Sequence, residues 1–297
     1  MVIARLKGRL GNQMFAYATS YALSRKYNKK LAVYKFEYDT ARRKEGFTLG
    51  ALKLAKRNFY CGIPLSLYWF TIKSIICIKL QMLFKVKIKY NERYYRKNIE
   101  TFYEDEEKAL SFEPLTLNKK YSKHIIEGFR QSPLYFDEYY DEIVAQFQPN
   151  YQLDKESVHW QSVIENDNCA VSIHIRRGDY VQLNWTVQTD YYYKAMEIMK
   201  EKYPDATFYV FSDDVLWAKQ NLQNDKYQIK YIEHHCENNP FDDIWLMSKC
   251  SHNIIANSSY SWWGAYLNCN KDKLVIAPQK IQRTNNRDIL PDTWMVI

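Results

Sequence analysis

The stretch CAVSIHIRRGDYV, residues 169–181, begins as a short apolar run and ends in a histidine, two adjacent arginines, a glycine and an aspartate. An apolar run of this length predicts a buried strand, and the polar residues behind it predict a loop at the carboxyl end of that strand. From here to the C-terminus, similar runs alternate with helical patterns. This alternation predicts an α/β fold with a parallel, doubly wound sheet.

Five strands and four intervening helices make up this alternation. The predicted strands are CAVSIHI (169–175), TFYVFS (207–212), YQIKYI (227–232), HNIIAN (252–257) and KLVIAP (273–278). The predicted helices are DYYYKAMEIMKEKY (190–203), VLWAKQNL (215–222), PFDDIWLMSK (240–249) and SYSWWGAYLN (259–268). Asp190 is the expected N-cap of the first helix, and Pro204 is expected to end it.

The N-terminal half begins with a second strand, helix and strand unit. Strands VIARL (2–6) and LAVYK (31–35) flank a glycine-containing turn, KGRLGNQ (7–13), and a helix at 14–28. A strand HIIEGF (124–129) and a helix DEYYDEIVAQF (137–147) follow, with polar, irregular sequence at 91–123 between. The polar, proline-containing segment 148–168 places a domain junction near 155, which predicts domains 1–155 and 156–297.

Composition narrows the class of protein. The chain has 297 residues, 46% of them hydrophobic, and a net charge of +8, so a folded protein with acidic partners is expected. Its lysines and arginines are spread along the chain, which argues against a nucleic-acid-binding surface. The six cysteines form no CxxC pair, and the first 15 residues lack the apolar core of a signal peptide. We therefore expect reduced thiols, a cytoplasmic location and no glycosylation at the sequons of Asn184 and Asn257.

Residues 61–90 form the most apolar stretch of the chain. Lys73 and Lys79 interrupt it and leave no run long enough for a spanning helix. Two interpretations stay open: a basic amphipathic segment lying on an anionic membrane surface, or a helical insertion packed on the first domain.

Three polar clusters follow predicted strands of the C-terminal half: HIRRGDY (174–180), SDD (212–214) and NSSYSWWG (257–264). Because the carboxyl ends of parallel strands share one edge of a sheet, we expect these clusters to form one ligand site. The hydroxyls and backbone N–H groups of SSYS at a helix start suit a diphosphate.

The chemistry of each cluster has alternatives. Arg176 and Arg177 offer planar donor forks to phosphate oxygens, or they form salt bridges with Asp179 or another carboxylate. SDD could bind Mg²⁺, accept hydrogen bonds from guanine, or cap the next helix through Ser212 or Asp213. GRLGNQ lacks the full pattern of a phosphate loop, and adjacent histidines such as those of EHHCE (233–237) rarely converge on one zinc ion.

Several stretches resemble the α-1,2-fucosyltransferases of glycosyltransferase family 11. They are GRLGNQMFAYA, EGFRQSPLYF, SIHIRRGDYV, VFSDD and LMSKCSHNIIANSSYSWWGAYLN, followed by KLVIAP, and they occur in order along almost the whole chain. The resemblance implies a GT-B fold, with two facing Rossmann-like domains and parallel sheets. It also implies a metal-independent, inverting transfer of L-fucose from GDP-β-L-fucose to O2 of a terminal galactose on a glycan acceptor. Another GDP-sugar-dependent GT-B glycosyltransferase is the alternative.

The resemblance also implies roles for individual residues. Arg176 binds the β-phosphate with support from Arg177, while His174 and Asp214 flank the guanine. The remaining donor-binding residues are Asp213, Ser258, Ser259, Tyr260 and Ser261, and Asn12 and Gln13 reach the acceptor cleft from the other domain. Asp179 is either the base for the acceptor hydroxyl or a partner that orients Arg177. The short loop QLNWTVQTD (182–190), where the family is expected to carry a longer one, leaves the acceptor undetermined.

Overall fold

The structure is a computed structural model that describes residues 1–35, 48–54, 99–104, 111–233, 239–281 and 287–297, together with positions 65, 68, 69, 72 and 76. The chain forms two compact units. The first comprises Met1–Leu49 and Leu54–Tyr140, and the second comprises Gly50–Lys53 and Asp141–Ile297. In this part of the chain the division falls between Tyr140 and Asp141. It therefore precedes residue 155, near which the sequence predicted the domain junction.

The first unit contains a parallel sheet of four strands in the order β2-β1-β4-β3. The strands are β1 (Val2–Arg5), β2 (Leu31–Tyr34), β3 (Ile99–Phe102) and β4 (Lys123–Ile126). β1 and β2 confirm the predicted first strands. β3 lies inside a segment that was predicted to be irregular. The sequence did not reveal this strand because its four residues are half-buried at the sheet edge and show no apolar alternation.

The first helix spans Leu10–Lys26, so it begins earlier than the predicted start at residue 14. Gly11, Asn12 and Gln13 therefore lie in its first turn and not in a loop. Arg9 is the N-cap, but its side chain makes no capping hydrogen bond, so the sequence lacks the usual signal for the start of this helix.

β4 ends at Ile126, which shortens the predicted strand HIIEGF. Gly128 has φ +117° and Arg130 has φ +50°, and neither value is compatible with a continuing strand. A Cβ on Gly128 would lie 2.4 Å from the Cβ of Glu104, so only glycine fits this turn.

The second unit contains a parallel sheet of six strands in the order β10-β9-β8-β5-β6-β7. The strands are β5 (Ala170–Ile175), β6 (Thr207–Ser212), β7 (Gln228–Tyr231), β8 (His252–Ile254), β9 (Val275–Ala277) and β10 (Met295–Val296). The first five confirm the predicted strands, and β10 was not predicted. The strand order reverses between β5 and β8, which makes their carboxyl ends the topological switch point of the sheet.

The described helices of this half of the chain connect the strands as expected for a doubly wound sheet. They are Tyr140–Gln146, Lys155–Glu165, Gly178–Gln182, Thr189–Lys202, Val215–Asn221, Asp242–Lys249 and Ser259–Tyr266. Asp190 is not the N-cap of its helix. The cap is Gln188, without a side-chain hydrogen bond, and Asp190 lies in the first turn.

The helix Lys155–Glu165 lies in the segment predicted to join the domains. Asp154 caps it by accepting a hydrogen bond from the backbone N–H of Ser157 at 2.8 Å. Ser157 in turn donates to the buried Asp242 at 2.8 Å, and Trp245 donates to Gln161 at 3.0 Å. These bonds attach the helix to the helix Asp242–Lys249, so the segment belongs to the second unit.

β5 and β6 form the centre of the second unit, where every residue of both strands is buried. Of the cysteines that the structure describes, Cys169 and Cys250 are buried free thiols and Cys269 is an exposed one. The side chain of Asn257 is buried, so its sequon offers no acceptor for a glycan.

Two sequence predictions fall mainly outside the described residues. Segment 61–90 is described at only five positions, so membrane contact through it stays a prediction. Of the motif EHHCE, only Glu233 is described. Among the helices within the described ranges, none is long and apolar enough to cross a membrane.

Candidate active site

The switch point of the second sheet brings together the loops that follow β5, β6 and β8. The first carries Arg176 to Tyr180, the second carries Asp213 and Asp214, and the third carries Asn257 to Ser261. All three predicted clusters therefore lie at one edge of the sheet. The register supports this arrangement, since β5 pairs directly with both β6 and β8.

Arg176 lies between two carboxylates. Its Nη1 is 2.7 Å from Oδ2 of Asp213, and its Nη2 is 2.5 Å from Oδ1 of Asp179. The side chain of Asp179 is 40% exposed, whereas that of Asp213 is 27% exposed. Asp179 is thus the partner that is easier for an incoming anion to displace.

Arg177 is held by both aspartates of the SDD cluster. Its backbone N–H donates to Oδ1 of Asp213 at 2.8 Å, and its Nε donates to Oδ2 of Asp214 at 3.0 Å. The guanidinium also lies 3.9 Å from the centre of the Trp217 ring, a cation–π contact. Three separate interactions therefore fix the conformation of this residue.

The SDD cluster both caps a helix and pairs with the arginines. Asp214, not Ser212 or Asp213 as predicted, is the N-cap of Val215–Asn221, and it accepts from the backbone N–H of Trp217 at 3.1 Å. Ser212 accepts from the backbone N–H of Asp214 at 3.0 Å. The salt-bridge alternative for the arginines and the capping alternative for SDD are both observed.

His174 lies at the carboxyl end of β5 and is only 5% exposed. Burial lowers the pKa of its imidazole to about 4, although the charge of Asp213 opposes this shift. The ring lies 5.6 Å from the ring of Tyr260, and its buried Nδ1 has no hydrogen-bond partner among the described residues. The imidazole is therefore neutral at neutral pH.

The serines after β8 differ in what they can contact. Ser258 caps the helix Ser259–Tyr266 by accepting from the backbone N–H of Tyr260 at 3.3 Å, and Ser259 is half-buried. Ser261 is fully buried and uses its hydroxyl inside the loop, accepting from Ala256 N–H at 3.2 Å and donating to the Ser258 carbonyl at 3.3 Å. These bonds make Ser261 a residue that shapes the loop, and its contact with the donor stays a prediction.

Tyr260 directs its hydroxyl away from solvent, donating to the Pro240 carbonyl at 2.7 Å. Burial raises the pKa of its phenol well above the ordinary value. What Tyr260 presents toward the site is its ring, next to His174.

Sequence reasoning missed Tyr180, Trp185 and Asn257, which connect the loops after β5 and β8. Burial raises the pKa of the Tyr180 phenol, although Arg176 and a hydrogen bond with Ser258 oppose the shift. The ring of Tyr180 packs edge-on against Trp185 at 5.5 Å, and Asn257 donates to the Trp185 carbonyl at 2.7 Å. The sequence signal was position alone, since Tyr180 and Asn257 are the end residues of the clusters HIRRGDY and NSSYSWWG, and Trp185 lies in the loop 182–190.

Asn12 and Gln13 lie at the start of the first helix of the first unit, where the structure gives them different environments. Asn12 is half-buried and accepts from Nε2 of Gln131 at 2.5 Å. Gln13 is fully buried, donates to the Gly8 carbonyl at 3.0 Å and accepts from Leu49 N–H at 3.2 Å. Gln13 therefore holds Leu49 in place, and its contact with an acceptor stays a prediction.

The family model for glycosyl transferase family 11 matches residues 56–297. An Escherichia coli protein named alpha-1,2-colitosyltransferase is 32% identical over 316 residues, covering 100% of this chain and 99% of that protein. The mouse galactoside 2-alpha-L-fucosyltransferase Sec1 is 24% identical over 286 residues, covering 90% of this chain and 64% of its own length.

The crystal structure of the NodZ alpha-1,6-fucosyltransferase soaked with GDP-fucose has a similar fold. The TM-score is 0.50 at 14% sequence identity, and the match covers 90% of this chain and 91% of that one. This likeness confirms the α/β class of GT-B enzymes with two Rossmann-like units. The match to the family model and the full-length relative at 32% identity show more: the chain belongs to glycosyltransferase family 11 and is an enzyme of the fucosyltransferase type.

Proposed function

We propose that this enzyme transfers L-fucose, with inversion, from GDP-β-L-fucose to O2 of a terminal galactose on a glycan. The observation that carries the proposal is the arginine pair at the switch point of the second sheet. Arg176 and Arg177 lie at the edge where a parallel sheet binds nucleotides. Asp213 contacts both arginines, and Asp214 contacts the side chain of Arg177. Membership of family 11 supports the reaction class.

The leaving group of this reaction is GDP, whose β-phosphate gains negative charge as the bond from fucose C1 breaks. Arg176 can exchange the exposed Asp179 for a phosphate oxygen while it keeps Asp213. A donor fixed in advance stabilises developing charge without a reorganisation cost at the moment of reaction. Arg177 adds a second positive charge beside it.

Guanine recognition is assigned to His174 and Asp214. The neutral imidazole of His174 can accept or donate one hydrogen bond without bringing a charge into the pocket. Asp214 uses one oxygen for the helix cap and the other for Arg177, so a contact with guanine would share these oxygens. Ser258, Ser259 and the ring of Tyr260 complete the donor side.

Once displaced from Arg176, Asp179 is the carboxylate assigned to remove the proton from the acceptor hydroxyl. The fucose then receives the acceptor oxygen at C1 on the face opposite the departing diphosphate, which inverts the anomeric configuration. The proton passes to the carboxylate and GDP leaves with the bonding electron pair.

We further propose that no metal ion takes part, because the two arginines already oppose the charge of the diphosphate. Within the part of the chain that the structure describes, no group of three His, Cys, Asp or Glu side chains could hold a metal ion. Turnover should therefore be unchanged in EDTA. Loss of turnover in EDTA that Mn²⁺ or Mg²⁺ restores would show that Asp213 and Asp214 form a metal site.

A second candidate donor is GDP-colitose. It is favoured by the full-length relative named as an alpha-1,2-colitosyltransferase. Colitose is fucose without the 3-hydroxyl, so the two donors differ in one polar group. A site that binds this hydroxyl rejects the analogue without it by roughly 10⁴–10⁵ in kcat/KM, which makes the comparison decisive.

The test is incubation with lactose and either GDP-fucose or GDP-colitose, with Arg176→Ala as the inactive control. The proposal is supported if a fucosylated trisaccharide forms and NMR identifies its linkage as α-1,2. Transfer from GDP-colitose but not from GDP-fucose would identify GDP-colitose, the second candidate, as the donor. Absence of transfer from GDP-fucose to any galactose-terminated acceptor would refute the first.

A further inference from the structure

Asp213 occupies the centre of the charged cluster at the switch point. Its Oδ2 lies 2.7 Å from Nη1 of Arg176, and its Oδ1 accepts from the backbone N–H of Arg177 at 2.8 Å. One carboxylate thus holds the side chain of the first arginine and the main chain of the second. The other two carboxylates, Asp179 and Asp214, each contact the side chain of only one of the two arginines.

Gly178 provides the space for this arrangement. A Cβ on Gly178 would lie 2.7 Å from Oδ2 of Asp213 and 3.9 Å from the Arg176 guanidinium carbon. The backbone of the loop therefore packs directly on the carboxylate, and any other residue would displace it. The glycine is needed here for close approach, because its φ is not among the positive values in the chain.

We propose that Asp213 is a positioning residue: it holds the two arginines in the conformation that binds the diphosphate and does not contact the donor itself. In the same proposal, Gly178 leaves the space that the Asp213 carboxylate needs. This inference rests on the proposed function and replaces direct donor binding by Asp213. Both oxygens of Asp213 contact the arginines, so the loss of this one carboxylate would release the side chain of Arg176 and the backbone of Arg177 together. Asp179, whose side chain is the more exposed of the two carboxylates that contact Arg176, is instead the group that the phosphate replaces.

The two aspartates should therefore have opposite effects on the affinity for GDP. Removing any negative charge beside a diphosphate site strengthens binding through electrostatics alone. Asp179→Asn removes a competitor and should tighten GDP binding by a few-fold. Asp213→Asn removes a similar charge but also loosens both arginines, and the loss of charge-assisted hydrogen bonds should weaken GDP binding by roughly 10- to 100-fold.

The experiment measures GDP affinity by calorimetry on the full chain, together with kcat, KM for the donor and a thermal melt. The variants are Asp213→Asn, Asp179→Asn and Gly178→Ala, with Glu197→Gln as the matched control. Glu197 is an exposed carboxylate 3.8 Å from Lys226, outside the site. The control removes one charge and should leave GDP affinity within about twofold.

The expected result is weaker GDP binding and a higher donor KM for Asp213→Asn and Gly178→Ala, with tighter binding for Asp179→Asn. If Asp213→Asn binds GDP as well as the parent or better, the positioning role is wrong, although the proposed function stands. If Asp179→Asn weakens binding as much as Asp213→Asn, the cluster acts as one undivided network, which also overturns the assignment. A parent that binds no GDP would refute the proposed function. If Asp213→Asn fails to fold, Gly178→Ala decides, since it keeps every charge.

Discussion

Arg176 divides its guanidinium between Asp213 on one side and Asp179 on the other. This division requires a planar group with donors in fixed directions, which an ammonium group does not supply. At the scale of single residues, the chemistry of the site thus depends on the shape of the cation as well as on its charge.

We expect Arg176→Lys to be nearly as damaging as Arg176→Ala. Both variants lose the preorganised contact to the leaving phosphate, which typically costs about 3–4 kcal/mol of transition-state stabilisation, or roughly 10²–10³ in rate. The measurement is kcat and GDP affinity, with a thermal melt to show that folding survives. If Arg176→Lys turns over like the parent, the planar contact is not used.

Asp179→Asn should separate binding from chemistry. Without the base, kcat should fall by roughly 10²–10⁴, while GDP affinity improves by about a few-fold because Arg176 is freed. Steady-state kinetics and GDP calorimetry on the same preparation test both effects. A kcat within a few-fold of the parent would mean that Asp179 serves only as an arginine partner.

The elements that carry these residues depend on close packing below the site. The helix Ser259–Tyr266, which Ser258 caps, packs against the helix Asp242–Lys249. Gly264 lies at the contact, where a Cβ would be 2.8 Å from the Cβ of Met247. That atom is fixed to the backbone of its helix and cannot move aside on its own.

Gly264→Ala should therefore destabilise the second unit, in spite of alanine's higher helix propensity. Overpacking of this kind costs roughly 1–3 kcal/mol, which a denaturant or thermal melt would detect. Gln220→Ala, at an exposed position of the helix Val215–Asn221, is the control and should leave stability nearly unchanged. An unchanged melt for Gly264→Ala would show that the two helices separate easily.

For the molecule as a whole, buried histidines make stability depend on pH. Burial lowers the pKa of His174 from 6.5 to about 4, and it lowers the pKa values of His124 and His252 in the same direction. The unfolded chain then binds protons that the folded chain does not. Stability is fully present above about pH 6.5 and is lost progressively as the pH falls towards 4.

The melting temperature should thus decrease between pH 7 and pH 5. His174→Asn should flatten part of this decrease, because a neutral side chain has no proton to gain. His159→Gln, at an exposed position of the helix Lys155–Glu165, should leave the curve as it is in the parent. A melting temperature that is constant over this range would contradict the assignment of these shifts to burial.

Much of the architecture follows from local sequence patterns. The strands β5 to β9, the four longer helices between them and the meeting of three polar clusters at one sheet edge were all predicted, because apolar runs and helical periodicity record which faces are buried. Four of the strands and helices described above were not predicted. β3 and β10 are short and poorly buried, the helix Gly178–Gln182 has only five residues, and the helix Lys155–Glu165 is polar outside its contact with the helix Asp242–Lys249.

What the sequence by itself determined is the α/β class, the order of the strands along the chain and the residue types at the switch point. Only the tertiary structure decided what the polar side chains contact. The arginines pair with Asp213 and Asp214, Ser261 is buried, and Gln13 bonds to the Gly8 carbonyl and the Leu49 N–H. The physical reason is that burial patterns repeat locally along a strand or helix, whereas a hydrogen bond joins groups from distant segments. Arg177 and Asp214 are 37 residues apart in the chain, and only the parallel pairing of β5 with β6 brings them to 3.0 Å.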